Sequence, residues 1–315
     1  MVKRVLLAAP RGFCAGVERA IETVERALEL YGPPVYVRKQ IVHNVHVVRD
    51  LERRGAVFVE SEANVPEGSM LVLSAHGVAP SVRVAASARA LETIDATCPL
   101  VTKVHAETRR YAAEGYTVVL IGHDGHEEVV GTHGEAPDAV RIVGTVAEAE
   151  ALAVPDPDRI AYVTQTTLCV DETAEIIAVL KRRFPAVRAP RREDICYATT
   201  NRQAAVKELA AEVDLLLVIG SQNSSNSKRL VEVARAAGVE SHLIDDETEI
   251  DERWLEGRET VGVTAGASAP ERLVARVCDW FRVRGVTDIR PFGSLVEGVF
   301  FRLPVEIRRA ATTTV

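Results

Sequence analysis

The sequence predicts an α/β protein of three similar units, and three observations favour this class. Short apolar runs alternate with longer helical patterns along most of the chain, which is typical of parallel α/β architecture. Cys14, Cys98 and Cys196 each stand where an apolar run gives way to a helical pattern. Polar residues then recur at comparable distances after each cysteine. We therefore expect three pseudo-symmetric α/β units that share one site.

Hydrophobic patterning predicts the individual elements. Each of the three cysteines is followed by a predicted helix with good helix formers and an apolar stripe. These helices cover residues 17–31, 101–115 and 202–212. Apolar runs of four or five residues predict the clearest strands, which cover residues 5–9, 70–74, 118–121, 160–164, 215–219 and 261–264.

The unit boundaries are expected to follow the cysteines. We expect a first α/β unit over residues 1–97, a second over 98–194 and a third over 195–288. The alternation of strand and helix patterns stops near residue 289. Residues 289–315 are therefore expected to form a C-terminal tail, rich in apolar residues near Val299, that packs back on the body.

Composition excludes several classes of protein. With 315 residues and a hydrophobic fraction of 47%, the chain can bury a large core. A net charge of −7 argues against a general affinity for nucleic acid, although a small anionic ligand remains compatible. No apolar run reaches the length of about 18 residues that a membrane helix needs. Five scattered cysteines do not resemble a secreted disulfide framework, so we expect a reducing, cytoplasmic location.

Polar residues recur at two stations after each cysteine. The first station lies 28 or 29 residues beyond the cysteine, and the second lies 33 to 44 residues further on. In open α/β sheets, ligands bind beyond the carboxyl ends of the strands, where these stations fall. We therefore expect the stations to face one ligand. They are occupied by His43 and His76, by His126 and Thr166, and by Ser224 and Ser268.

The three cysteines suggest a metal site. A helix N-terminus favours the thiolate form that binds metal, and soft thiolates select zinc or iron–sulfur clusters. The sequence lacks the close cysteine pair that is typical of structural zinc sites. A cubane iron–sulfur cluster with only three protein ligands would leave one iron for substrate. Cys169 and Cys278 are interpreted as buried core residues, which is the common fate of a single cysteine.

A polar loop at residues 220–227 predicts anion binding. Hydroxyl and amide side chains at the start of a helix can hold a phosphate, and this loop contains Ser224, Ser225 and Asn226. A solvated loop whose serine caps the helix is the alternative. The three histidines could donate hydrogen bonds to a diphosphate, while zinc binding is their competing use.

A carboxyl group near these stations predicts a proton donor. Glu127 and Glu128 both follow His126 in a glycine-containing loop, and residue type alone does not separate them. A carboxyl group in a dry pocket has a raised pKa and can deliver a proton. Thr166 offers a hydroxyl for proton relay, or alternatively serves only in a helix cap.

Ordered motifs through nearly the whole chain resemble the LytB family of 4-hydroxy-3-methylbut-2-enyl diphosphate reductases. Eight or nine motifs in one order make the resemblance highly specific. They comprise residues 12–17, 41–44, 74–78, 95–101, 125–126, 164–168, 196–203, 224–227 and 264–271, with 299–304 resembling the closing segment.

The resemblance implies a trefoil of three α/β units around a [4Fe–4S] cluster bound by Cys14, Cys98 and Cys196. In that family the iron without a protein ligand takes the substrate hydroxyl oxygen. Two electrons arrive singly from ferredoxin or flavodoxin, and protons expel the oxygen as water. Protonation of an allyl intermediate then gives isopentenyl and dimethylallyl diphosphate, the last products of the non-mevalonate pathway.

The resemblance also implies roles for single residues. Glu128 matches the proton-delivering glutamate and Thr166 matches its hydroxyl partner, which resolves the choice between the two glutamates. Glu127 stands where the family commonly has Pro, and Cys169 stands where Ser is common. The residues implied to hold the diphosphate are His43, His76, His126, Thr166, Ser224, Ser225, Asn226 and Ser268.

Two other functions compete with this reductase. One is a phosphate- or nucleotide-binding enzyme with unliganded cysteines, although a thiol interrupts its glycine-rich turn at residues 12–16. The other is a non-catalytic iron–sulfur redox protein, which would have no use for the polar stations. Neither alternative requires both the thiols and the stations.

Overall fold

The computed structural model describes residues 2–313, and it is an α/β protein with three parallel sheets. The strands are Arg4–Ala8 (β1), Val35–Arg38 (β2), Ala56–Val59 (β3), Met70–Leu73 (β4), Glu92–Asp95 (β5), Thr117–Ile121 (β6), Val140–Val143 (β7), Ile160–Thr164 (β8), Leu215–Ile219 (β9), Glu240–Ile244 (β10), Thr260–Ala265 (β11) and Asp288–Phe292 (β12). This architecture confirms the predicted α/β class.

Helices connect most successive strands, as is usual for parallel sheets, whereas only short 3-10 turns lie between β3 and β4 and between β10 and β11. The helices are Ala15–Tyr31 (α1), Val45–Arg53 (α2), Pro80–Ala88 (α3), Pro99–Ala113 (α4), Glu127–His133 (α5), Val146–Ala151 (α6), Val170–Arg183 (α7), Tyr197–Ala210 (α8), Ser225–Ala236 (α9), Glu271–Val283 (α10) and Val305–Thr313 (α11). Within residues 2–313, none of these helices combines the length and apolarity that would let it cross a membrane.

The chain forms two compact units. Unit 1 comprises residues up to Val17, His43–Val47 and Tyr197–Phe300. Unit 2 comprises Glu18–Val42, Val48–Cys196 and the residues from Phe301 onward.

Unit 1 contains a five-stranded sheet in the order β10-β9-β11-β1-β12. Every residue of β9, with the sequence Leu-Leu-Leu-Val-Ile, is buried. Such a continuous apolar run is expected for a parallel strand that is covered on both faces. Helix α10 packs Leu273, Val277 and Phe281 against one face of this sheet, in the same cluster as Val263.

Unit 2 contains two sheets, in the orders β3-β2-β4-β5 and β7-β6-β8. Alternate residues of β6 point to opposite faces, as the two-residue period of a strand dictates. Val119 and Ile121 pack in the cluster that contains residues of α7, whereas Val118 and Leu120 pack beside α4. A single parallel bridge between Ala161 and Arg188 extends this sheet beyond β8.

The sheets divide the chain differently from the predicted boundaries. Strand β1 lies between β11 and β12, so residues 1–97 do not form one sheet. The segment predicted as the start of a tail instead contributes β12 to the same sheet. The reason is that a parallel strand reaches its neighbour by a crossover, so chain order does not determine which strands pair.

The rest of the predicted tail is partly helical. No helix or strand is assigned to residues 293–304, and helix α11 follows them. Arg19 of α1 donates a hydrogen bond from Nε to the carbonyl of Arg302 at 2.8 Å. The end of this segment is therefore bonded to a helix residue of unit 2. Residues 314 and 315 lie outside the described part of the chain.

Candidate active site

The first-station residues occupy one equivalent position in all three sheets. Each follows the carboxyl end of a strand by five residues: His43 follows β2, His126 follows β6 and Ser224 follows β9. The three first stations therefore lie at the same distance beyond a strand, and this is the structural basis of their regular spacing from the cysteines.

The second stations lie at the adjacent strand of each sheet. His76 and Ser268 lie three residues beyond β4 and β11, and the residue with the same offset from β8 is Thr167. Thr166 lies only two residues beyond β8. The residue equivalent in position to His76 and Ser268 is therefore Thr167, whereas the sequence analysis named its neighbour Thr166. The contacts of Thr166, described below, give Thr166 a separate role.

Each of the three cysteines is held by the same backbone contact. The amide of Cys98 donates to the carbonyl of Ala75 at 3.0 Å, and the amide of Cys196 donates to that of Thr166 at 3.1 Å. The amide of Cys14 donates to the carbonyl of Ala267 at 3.2 Å. All three acceptors lie two residues beyond a strand end, in β4, β8 and β11. The thiols thus occupy equivalent positions next to the second stations.

The thiols are chemically suited to bind a soft metal. Cys14, Cys98 and Cys196 each directly precede a helix and are partly exposed, whereas Cys169 and Cys278 are buried. All five cysteines fall within the described residues and are unbridged thiols. Burial raises the pKa of the Cys14 thiol, which is opposite to the thiolate-favouring effect expected of a helix N-terminus, so the proton would be retained until a metal displaces it. Three partly exposed thiols fit an iron–sulfur cluster.

A buried carboxyl group contacts the Cys196 region through one threonine. The amide of Thr166 donates to Glu128 Oε1 at 2.6 Å, and Thr166 Oγ1 donates to Glu128 Oε2 at 3.0 Å. The carbonyl of the same threonine accepts from Cys196, as described above. Thr166 therefore lies between the carboxyl group and the cysteine backbone.

Burial decides the protonation of Glu128. Only 2% of this residue is exposed, and burial raises its pKa from 4.5 to about 7. The two hydrogen bonds from Thr166 act in the opposite direction, and the negative charge of Asp194 raises the pKa further. At neutral pH the carboxyl group is about half protonated, which suits a proton donor.

His126 is oriented by its position at the start of α5. Its Nδ1 accepts the backbone hydrogen of Glu128 at 3.2 Å, so a neutral His126 ring carries its hydrogen on Nε2. The ring of His76 lies perpendicular to that of His126, with 6.1 Å between the centroids. His76 and His126, two histidines of unit 2 that the sequence spacing selected, are therefore neighbours.

The second glutamate has a different contact from Glu128. Glu127 Oε2 lies 3.2 Å from His76 Nδ1. Burial lowers the pKa of His76 to about 4, so the ring is neutral at pH 7 and its contact with this carboxylate is not an ion pair. Glu127 therefore lies beside His76, while Glu128 is hydrogen-bonded to Thr166.

Unit 1 gathers hydroxyl and amide groups. Ser268 Oγ donates to the backbone carbonyl of His43 at 2.8 Å, and Asn223 Nδ2 lies 3.3 Å from His43 Nδ1. Asn226 Oδ1 accepts from the amide of Ala267 at 2.8 Å, directly beside Ser268. His43, Asn226 and Ser268 therefore lie around the loop that also holds Cys14.

The polar loop before α9 has the predicted helix-capping geometry. Ser224 Oγ accepts from the amide of Ser227 at 3.3 Å, and Ser225 is the first residue of the helix. The capping role and an anion-binding role are compatible, because the remaining amides of the first turn still point out of the helix end.

Sequence reasoning missed Asp194. Its side chain is fully buried, accepts from the amide of Thr164 at 2.9 Å and pairs with Lys103 Nζ at 2.8 Å. Burial raises the pKa of Asp194 to about 6. Its place two residues before Cys196 was the available signal, but an aspartate before a helix is usually a surface cap.

Comparison with known proteins identifies the family. The model of the LytB protein family matches residues 5–282. A 4-hydroxy-3-methylbut-2-enyl diphosphate reductase of Acidothermus cellulolyticus is 61% identical over 308 residues, which cover 98% of this chain and 91% of the relative.

Solved structures agree with this match. The structure of the corresponding Plasmodium falciparum reductase aligns with a TM-score of 0.94 at 38% identity and covers 100% of this chain and 99% of its own. A structure of the reductase described as the terminal enzyme of the non-mevalonate pathway aligns with a TM-score of 0.62 at 32% identity, over 90% of this chain and 100% of its own. The chain belongs to the LytB family.

Proposed function

We propose that this LytB-family oxidoreductase converts 4-hydroxy-3-methylbut-2-enyl diphosphate into isopentenyl and dimethylallyl diphosphate by using three thiols, a polar diphosphate site and one buried acid. The reaction is the terminal reductive step of the non-mevalonate isoprenoid pathway. Glu128 carries this proposal, because a carboxyl group whose pKa is raised to about 7 can deliver a proton at neutral pH.

The three thiols are proposed to hold a [4Fe–4S] cluster. Equivalent backbone contacts of Cys14, Cys98 and Cys196 support a shared role, and their partial exposure separates them from the two buried cysteines. The cluster, when bound, supplies single electrons and a Lewis-acidic iron without a protein ligand, which no side chain can replace.

The diphosphate is proposed to bind the polar stations. Imidazole N–H, hydroxyl and amide groups form strong hydrogen bonds to phosphate oxygens, and helix N-termini favour the negative charge. The Nδ1 contact of His126 leaves Nε2 as its donor, which supports this role. The proposed diphosphate ligands are His43, His76, His126, Thr166, Ser224, Ser225, Asn226 and Ser268.

Glu128 and Thr166 are proposed to deliver protons. The leaving hydroxyl needs one proton to depart as water, and the carbon skeleton needs another to become the product. Protonated Glu128 can donate from Oε2 to Thr166 Oγ1 across the 3.0 Å contact, which frees the threonine hydrogen for the substrate. A short relay of this kind keeps the acid away from bulk water.

The electrons are proposed to come from ferredoxin or flavodoxin. The reaction consumes two electrons, and neither the diphosphate substrate nor any side chain of the site supplies them. Five unbridged cysteines support a reducing, cytoplasmic location for the enzyme and its donor.

Metal analysis and one substitution test the proposal. We expect anaerobically purified protein to contain iron and sulfide. When it is supplied with a chemical reductant, it should convert the substrate. Glu128→Gln should keep the iron and lose turnover by about 10²- to 10⁴-fold, because only the proton donor is removed. Glu175→Gln, an exposed glutamate of the same unit, is the matched control.

Two outcomes would contradict the proposal differently. Iron-free protein that resists reconstitution would exclude the cluster. Iron-loaded protein without turnover would instead favour the alternative of a non-catalytic iron–sulfur redox protein.

A further inference from the structure

A cation follows each of the three cysteines on the helix that the cysteine precedes. Arg19 lies five residues after Cys14 on α1, and Lys103 lies five residues after Cys98 on α4. Arg202 lies six residues after Cys196 on α8. Each of these side chains contacts the backbone that leads to a different cysteine, which we call its approach loop.

Arg19 holds the approach loop of Cys98. Its Nη1 donates to the carbonyls of Ala96 and Thr97, both at 3.0 Å, and Nη2 donates to that of Asp95 at 3.4 Å. These are the three residues directly before Cys98. One guanidinium therefore fixes three successive peptide groups.

Lys103 holds the approach loop of Cys196. Its Nζ donates to the carbonyls of Arg192 at 2.5 Å and Glu193 at 3.0 Å, and to the Asp194 carboxylate at 2.8 Å. The three donor positions of the ammonium group are thus used on three successive residues of one loop.

Arg202 holds the approach loop of Cys14. Its Nη2 donates to the carbonyls of Gly12 at 2.7 Å and Phe13 at 3.3 Å. The side chain is fully buried, and both oxygens of Glu297 lie 3.0 Å from Nη1. Gly12 has a φ of +70°, a conformation that favours glycine, and its carbonyl accepts the hydrogen bond from this arginine.

The three contacts form a closed order. The helix after Cys14 holds the loop of Cys98, the helix after Cys98 holds the loop of Cys196, and the helix after Cys196 holds the loop of Cys14. Each cation donates to at least two backbone carbonyls of the loop that it holds. Chance surface pairing does not explain three cations, five or six residues after a cysteine, that each contact the equivalent segment before another cysteine.

We propose that Arg19, Lys103 and Arg202 are positioning residues that preorganise the three thiols for the cluster and add positive charge beside it. This inference rests on the proposed function, since it assumes that the three thiols bind one cluster. Groups that orient metal ligands commonly change metal affinity by about 10- to 100-fold when they are removed. Positive charge also favours the more negative, reduced state of a nearby redox group.

Lys103 is tested first, because its side chain is 26% exposed; since its removal leaves the buried Asp194 carboxylate unpaired, each Lys103 variant is also made together with Asp194→Asn. We expect Lys103→Gln to lose its reconstituted cluster about 10- to 100-fold faster than the parent in the presence of a chelator, followed by visible absorbance. Its midpoint potential should become more negative, and Lys103→Arg should restore much of both properties. Arg19→Gln should behave in the same way.

Controls separate this role from general stability. Arg26→Gln removes an exposed cation from the same helix as Arg19 and should match the parent. Thermal unfolding of metal-free Lys103→Gln shows whether this variant has lost its fold. Arg202→Gln combined with Glu297→Gln tests the approach loop of Cys14 without leaving a buried carboxylate unpaired.

The outcomes distinguish this inference from the proposed function. A parent protein that cannot take up iron contradicts both. A parent protein that holds its cluster, with Lys103→Gln and Arg19→Gln showing parental cluster loss and potential, overturns only the positioning role. If Arg26→Gln loses its cluster as fast as Lys103→Gln does, the positioning role is also overturned.

Discussion

The two units differ in the chemistry of their candidate site residues. Unit 2 contributes titratable groups, with His76, His126 and Glu128 within one set of contacts. Unit 1 contributes mainly hydroxyl and amide groups from Ser224, Asn226 and their neighbours. We therefore propose that unit 2 transfers protons, whereas the proposed ligands of unit 1 other than His43 form hydrogen bonds that do not depend on pH.

This difference arises on equivalent backbone positions. His126 and Ser224 both lie five residues beyond a strand, and both accept a hydrogen bond from the first turn of the next helix. One side chain is a titratable ring and the other is a hydroxyl. A repeated scaffold thus sets where a group stands, and the local residue decides what it does.

The largest expected effect tests the feature that both units share. Cys14→Ser in unit 1 and Cys98→Ser in unit 2 should each lose nearly all cluster iron, because three soft ligands are the minimum proposed set. Iron per chain after anaerobic reconstitution is the measurement. Cys278→Ser, in the core of unit 1, should retain iron. Equal iron in all three variants would show that the wrong thiols were chosen.

A kinetic comparison separates the two units next. Thr166→Val should lower kcat by about 100-fold, since it removes the proposed relay hydroxyl with little change of shape. Asn226→Ala should instead raise KM by about 10- to 100-fold, the value of a hydrogen bond to a charged group. Steady-state rates with a chemical reductant measure both. Reversed effects would assign proton transfer and binding to the opposite units.

The pH dependence of stability should reveal the buried acid of unit 2. The unfolded chain loses the Glu128 proton near pH 4.5, whereas the folded chain keeps it to about pH 7, so stability falls as pH rises through this window. Glu128→Gln should remove a penalty of about 3 kcal/mol at pH 8 and almost none at pH 4. Urea unfolding of the metal-free protein measures this. A constant difference across that range would refute the shift.

His76 should act with the opposite sign. Its pKa falls from 6.5 to about 4 on burial, so the unfolded chain gains a proton first and stability is lost as pH falls from 6.5 toward 4. His76→Gln should flatten the acid limb of the same unfolding profile. An unchanged acid limb would mean that the ring titrates normally.

The smallest expected effect concerns the helix cap of unit 1. Ser224→Ala should cost about 1 kcal/mol of unfolding free energy, because the cap of α9 is lost. Ser224→Asp should keep the cap but weaken pyrophosphate binding through like-charge repulsion, as titration calorimetry would measure. Unchanged binding in Ser224→Asp would leave this serine with a purely structural role.

Sequence patterning predicted the interior strands better than the sheet edges. The six predicted strands correspond to β1, β4, β6, β8, β9 and β11. Five of the six missed strands, β3, β5, β7, β10 and β12, lie at sheet edges. Strands β5, β7, β10 and β12 contain charged or polar residues and so lack the continuous apolar run that identifies a buried strand, whereas β3 has such a run and was missed despite it.

The amino-acid sequence by itself determined the α/β class, the three cysteines and the type of group at each station, because these depend on residue identity and local periodicity. Only the tertiary structure decided that β1 joins the strands near residues 215–292 and that burial poises Glu128 near neutral pH. It also revealed that each helix cation holds another cysteine's loop. Strand pairing, desolvation and long-range hydrogen bonds depend on residues far apart in the chain, and no local pattern records them.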